Sequence, residues 1–211
     1  MATSEGRPPA GNAGMLQGRF RGLRPRGDGA TMAFVLPIRL SQPSDVSYRK
    51  DSTMATKLPG ETYRGAALHV PLSADGQVAA YVWPLRILKI RGKGCGGPTI
   101  GVEVGNEEVL RFDCHDAVGH WHGGGYDRLE GPGASQRSFP EGLHGVTAQL
   151  AWSLQQVQQQ GKALLEEADY HAAAQMIEPA LVQKAIDAIK SHLETSGDLR
   201  SQAIAEHLIV P

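Results

Sequence analysis

Leu110-Arg-Phe-Asp-Cys-His-Asp-Ala-Val-Gly-His-Trp-His-Gly-Gly-Gly-Tyr126 holds three of the chain's eight histidines and one of its two cysteines. Leu110, Phe112 and Cys114 alternate with Arg111, Asp113 and His115, the period-two pattern of a strand with one apolar and one polar face. Asp116-Ala-Val-Gly119 has turn chemistry, because Asp bonds nearby backbone and Gly accepts positive φ. His120-Trp-His122 returns as the second strand. A four-residue loop pairs His115 with His120, Asp113 with His122 and Cys114 with Trp121.

That register puts Asp113, His115, His120 and His122 on one face. Directly opposed residues have Cβ atoms roughly 5 Å apart, and imidazole and carboxylate donors reach a common ion at about 2.0 to 2.2 Å. The four residues are the expected ligands of a divalent cation; zinc, iron, manganese and nickel are not separated by ligand type. Two other readings fit the same pattern. One is a metal-free polar pocket, and the other is a structural sheet face whose histidines bond carboxylates, backbone or water.

The chain has 211 residues, 41% of them hydrophobic, enough for one substantial core. A net charge of −1 gives no electrostatic case for nucleic acid or an anionic membrane as main partner. No apolar run approaches a membrane span, and the N-terminus lacks the apolar segment of a secretory signal. Two cysteines make no disulfide framework, which points to the cytoplasm.

Three regions are expected. Residues 1 to 31 are Gly-, Arg- and Pro-rich, with five arginines against two acids, and read as a disordered basic tail, with an extension upstream of a start at Met32 as one explanation. Residues 32 to 145 read as an antiparallel β domain. Within it Phe34 to Leu40 is a strand weakened by Pro37, Tyr63 to Leu72 and Gln77 to Trp83 form a hairpin, and Leu85 to Arg91 resumes after Pro84. Gly92-Lys-Gly-Cys-Gly-Gly97 lacks the ending of a phosphate-binding loop and reads as a flexible loop. Thr99 to Val104 then leads through Gly105-Asn106 to the histidine hairpin.

Residues 146 to 211 read as helical. Leu150, Leu154, Val157, Gly161, Leu164 and Ala168 recur at steps of three and four, the mark of an amphipathic helix. A second helix starts at Pro179 and stops at Ser196-Gly197, and Asp198 caps a third. The fold class is therefore α+β: an antiparallel meander or partly curled barrel, followed by helices on one sheet face. Phe112, Cys114 and Trp121 should lie under the helices, with the histidine face open. Pairing of these helices between two copies in a homodimer is the expected self-association.

His120-Trp-His122 followed by Asp127 resembles the metal-binding segment of cupins, and Pro140-Glu-Gly-Leu-His144 is similar to their second motif. That resemblance implies a jelly-roll barrel with a bound metal, and adds Asp127 and His144 to the candidate residues. Residues 107 to 126, with Val-Leu-Arg-Phe-Asp before His-X-His, are similar to a core in small uncharacterised bacterial proteins, TumE-like toxins among them. This implies a bacterial domain family of unknown function. Two functions follow as expectations: a divalent-metal-binding domain acting on a small molecule, with Tyr126 or Asp127 near the metal, or a non-enzymatic interaction module using its helices.

Overall fold

The computed structural model describes residues 61–125 and 135–211. The basic tail, the strand expected at Phe34 to Leu40, Tyr126 and Asp127 lie outside the described residues. Among those described, the β elements are β1 (Thr62–Arg64), β2 (Leu68–Pro71), β3 (Val78–Ile90), β4 (Lys93–Val104), β5 (Glu107–Asp113), β6 (His120–Gly123) and β7 (Gln136–Ser138). They form one antiparallel sheet in the order β1-β3-β4-β5-β6-β7, with β2 also on β3. The sheet is not closed, so the barrel implied by the cupin resemblance is not formed.

The helices follow as α1 (Val146–Glu167), α2 (His171–Met176), α3 (Pro179–Ser196) and α4 (Leu199–Ala205). Pro179 opens α3, Gly197 follows its end, and the Asp198 carboxylate accepts from the Ser201 amide at the start of α4. These are the stop and start signals visible in sequence. Helix α2 was not expected, because its six residues are too short to show a 3.6-residue period.

One apolar face of the sheet packs under the helices. Val70, Val78, Ala80, Val82, Ile100, Val102, Leu110 and Phe112 meet Leu154, Val157, Ile186 and Ile189 in a single cluster. Trp121 stacks on Phe112, and Trp152 of α1 approaches Phe112 edge-on. Cys114 is buried against Ser153 of α1. The helices thus cover the face assigned to them by alternation.

Two bulges decide what the opposite face carries. The β3/β4 register slips between Trp83 and Arg86, at Pro84, which has no N–H to give the ladder. The extra residue inverts the alternation. Leu85 and Ile87 consequently pack with Ala203 and Ile209, while Arg86 turns to the polar face. A second slip between Val102 and Glu103 places an extra residue on β5. Val109 and Leu110 both enter the core, and Glu108 joins Arg111 on the polar side.

Of the Gly-rich loop expected at residues 92 to 97, only Gly92 is in a turn, and residues 93 to 97 are instead the beginning of β4. A Cβ on Gly94 would stand 1.8 Å from the Leu208 carbonyl oxygen, and one on Gly97 would stand 2.0 Å from that of Cys114. These glycines allow backbone to approach backbone.

Candidate metal centre

Strand β5 pairs with β6 as Asp113 with His120, Phe112 with Trp121 and Arg111 with His122. The expected pairing of His115 with His120, and of Asp113 with His122, is therefore corrected by two residues. The reason lies in the loop. The Cys114 amide donates to the Pro98 carbonyl, and Asp116–Val118 forms a short 3-10 turn. Gln149 of α1 then clasps Asp116, accepting from its amide at 2.9 Å and donating to its carbonyl at 2.8 Å. The helix holds the chain in a wider turn than four residues make.

A slip of two residues preserves side-chain parity, so Asp113, His120 and His122 still share a face. One ligand atom from each lies within 4.8 Å of the others. The Nε2 atoms of His120 and His122 stand 3.5 and 3.8 Å from Asp113 Oδ2. His120 Nδ1 donates to the Val118 carbonyl at 2.9 Å, and His122 Nδ1 faces Ser135 Oγ at 3.3 Å. Each ring is thereby held with its Nε2 lone pair turned inward, the arrangement that orients histidine for a metal.

His115 does not join this trio. It follows the end of β5, and its Nε2 stands 3.4 Å from the Thr99 hydroxyl, which donates to Asp113 Oδ1 at 2.9 Å. The His115 ring thus reaches the Asp113 carboxylate through Thr99. His144 is exposed in the segment before α1.

The polar face is buried, not open as expected: Asp113, His115 and His122 are 1%, 3% and 4% exposed. A network of paired charges accompanies that burial. Arg86 donates to Asp113 at 2.6 Å and to Glu61 through two nitrogens. Arg111 donates to Asp113, to Glu108 at 2.9 Å and to His122 Nε2 at 2.9 Å. The Tyr81 hydroxyl donates to Glu108, its ring lying over Gly101, where a Cβ would come within 2.2 Å of it.

Burial alone would raise the Asp113 pKa, yet Arg111 and Arg86 outweigh it and hold the carboxyl well below the usual range. Burial raises that of Glu108, against the pull of Arg111. It lowers His115 to about 4, and lowers His122 to about 4 with help from Arg111. Both rings are neutral at pH 7, the form that ligates metal. Arg86 and Glu108 were missed in sequence because the bulges break the period of two.

An open antiparallel sheet, with helices on one face and an Asp-His-His cluster on the other, defines an α+β domain with a candidate metal centre. Residues 61–193 match the family described as a domain of unknown function, DUF7700, and the chain belongs to that family. The uncharacterised domain family implied by the sequence is borne out. Neither a curated protein nor a solved structure matches the chain. Among the described residues, no helix is long and apolar enough to cross a membrane.

Proposed function

We propose that this domain binds a divalent cation through Asp113, His120 and His122. The convergence of two Nε2 lone pairs on one carboxylate oxygen, with both Nδ1 atoms engaged elsewhere, carries the reading. Two histidines and one carboxylate leave positions on an ion for water or a small molecule. There the ion would polarise a carbonyl or activate water. Zinc, iron, manganese and nickel all suit these donors.

The ion has a competitor. His122 Nε2 has one lone pair, and Arg111 donates to it, so loading requires that bond to break. Two nearby guanidinium groups also repel a cation, which sets a modest affinity. The fully bonded Asp113 favours a second reading, in which the network is metal-free and structural.

Elemental analysis of untagged protein decides between them. Stoichiometric metal, lost in both His120→Ala and His122→Ala, is the expected result. Metal-free protein that takes up no zinc, iron, manganese or nickel in a titration would leave the structural network. Pairing of the helices between two copies belongs to the same proposal, and size-exclusion with light scattering reads it directly.

A further inference from the structure

The polar face carries a second cluster outside the metal centre. His69 of β2 and Glu103 of β4 lie on either side of β3, opposite Tyr81 and Ala79 respectively. The small Ala79 side chain leaves room for the two to meet above it. His69 Nδ1 stands 3.4 Å from Glu103 Oε2, and the His69 ring stacks on Tyr81 at 5.7 Å between centroids. Both residues are more than nine-tenths buried. Among the described residues, His69 Nε2 and Glu103 Oε1 nevertheless have no hydrogen-bond partner.

The chemistry of these two orphan atoms is constrained. With Glu103 ionised and the His69 ring neutral, the ring proton sits on Nδ1, beside the carboxylate, which only accepts. Nε2 is then an acceptor as well. Two buried acceptors without donors are costly, and what satisfies them must bring more than one donor. A positive charge is also called for. The guanidinium groups of Arg86 and Arg111 are directed to Glu61, Asp113, Glu108 and His122, and none of these bonds reaches Glu103.

A divalent cation fits less well. Among the described residues, Asp113, His120 and His122 form the one His, Cys or acid group close enough to hold a metal, so His69 and Glu103 offer no third ligand. An alkylammonium group supplies its own three donors and its own charge. Pro71 and Ala79, which pair with each other at this end of the face, are only half-buried. A ligand would reach the two atoms from this side.

We infer that His69 and Glu103 form a binding site for the primary ammonium group of a small molecule, with Glu103 Oε1 and His69 Nε2 accepting its N–H bonds. This site does not depend on the metal centre.

The test follows the His69 ring nitrogens of the full chain by long-range proton–nitrogen NMR, assigned with His69→Gln. Methylammonium chloride, tetramethylammonium chloride and potassium chloride are titrated separately. Methylammonium should move the Nε2 resonance saturably, and the other two salts should not. The response should vanish in Glu103→Gln and persist in the His120→Ala, His122→Ala double variant. No response to methylammonium, or an equal response to tetramethylammonium, overturns the site. If zinc shifts His69 saturably in that double variant and methylammonium does not, the site takes a metal and the inference is wrong. Should Glu103→Gln fail to fold, the wild-type Tm decides: it should rise in methylammonium relative to potassium chloride at equal ionic strength, and an unchanged Tm counts against the site.

Discussion

Asp113 and His120 face each other directly across β5 and β6, with His120 Nε2 3.5 Å from Asp113 Oδ2. The two differ in what else they hold. Asp113 also anchors two buried guanidinium groups, whereas the His120 side chain is partly exposed and bonded to a local carbonyl.

Their removal should therefore have unequal effects on stability. Asp113→Ala leaves Arg86 and Arg111 buried without their shared carboxylate, and should cost about 3 to 5 kcal/mol. For metal-free protein His120→Ala should cost about 1 kcal/mol or less. Urea unfolding of the two variants measures both; equal midpoints would show that Asp113 does not hold the network together.

Stability should fall as the medium is acidified from about pH 6.5 to about pH 4. His115 and His122 are depressed to about 4 in the folded protein, chiefly by burial, whereas an unfolded histidine titrates near 6.5. Between those values the unfolded chain binds more protons, so acid favours unfolding. His115 alone contributes about 3 kcal/mol of this fall. The low Asp113 pKa acts at lower pH, its contribution being present above the ordinary carboxylate value and lost as pH drops through the folded one. In His115→Gln the slope of unfolding free energy against pH over that window should be smaller than in wild type; an unchanged slope would remove His115 as its source.

Two glycine-to-alanine substitutions should have opposite signs. Gly97→Ala drives a methyl group against the Cys114 carbonyl and should destabilise by about 2 kcal/mol or more. Gly161 lies within α1 with nothing near its Cβ position, so Gly161→Ala should stabilise by about 1 kcal/mol. Thermal melts of the pair give both signs.

The two thiols should differ in reactivity. Burial pushes Cys114 up to about 12 and raises the half-buried Cys95 less far. Iodoacetamide should modify Cys95 first and Cys114 only as fast as the protein unfolds. Peptide mass mapping over time would show the order, and early labelling of Cys114 would contradict its burial.

Leu154 and Val157 belong to the apolar stripe read from the sequence, and both are buried where the helices meet the sheet, together with Ile186 and Ile189. Their three-and-four spacing is a property of the helix itself, which is why it can be read locally. The face shared by Asp113, His120 and His122 was legible for the same reason, since alternation belongs to the strand. His115 shows the limit. Its position fits the alternation of β5, but the strand ends at Asp113 and the ring turns to Thr99.

The sequence by itself determined the order and type of the main elements, the faces of their regular stretches and the turn signals at the helix ends. All of these depend on residues within a turn or two of one another. Tertiary structure alone decided the hairpin register, because Gln149 clasps Asp116 from 33 residues away. It also decided the bulges that turn Arg86 and Glu108 toward Asp113 and Arg111, and the meeting of His69 with Glu103 across β3. A local period fixes which way a side chain points; which side chain it meets depends on contacts between segments distant in the chain.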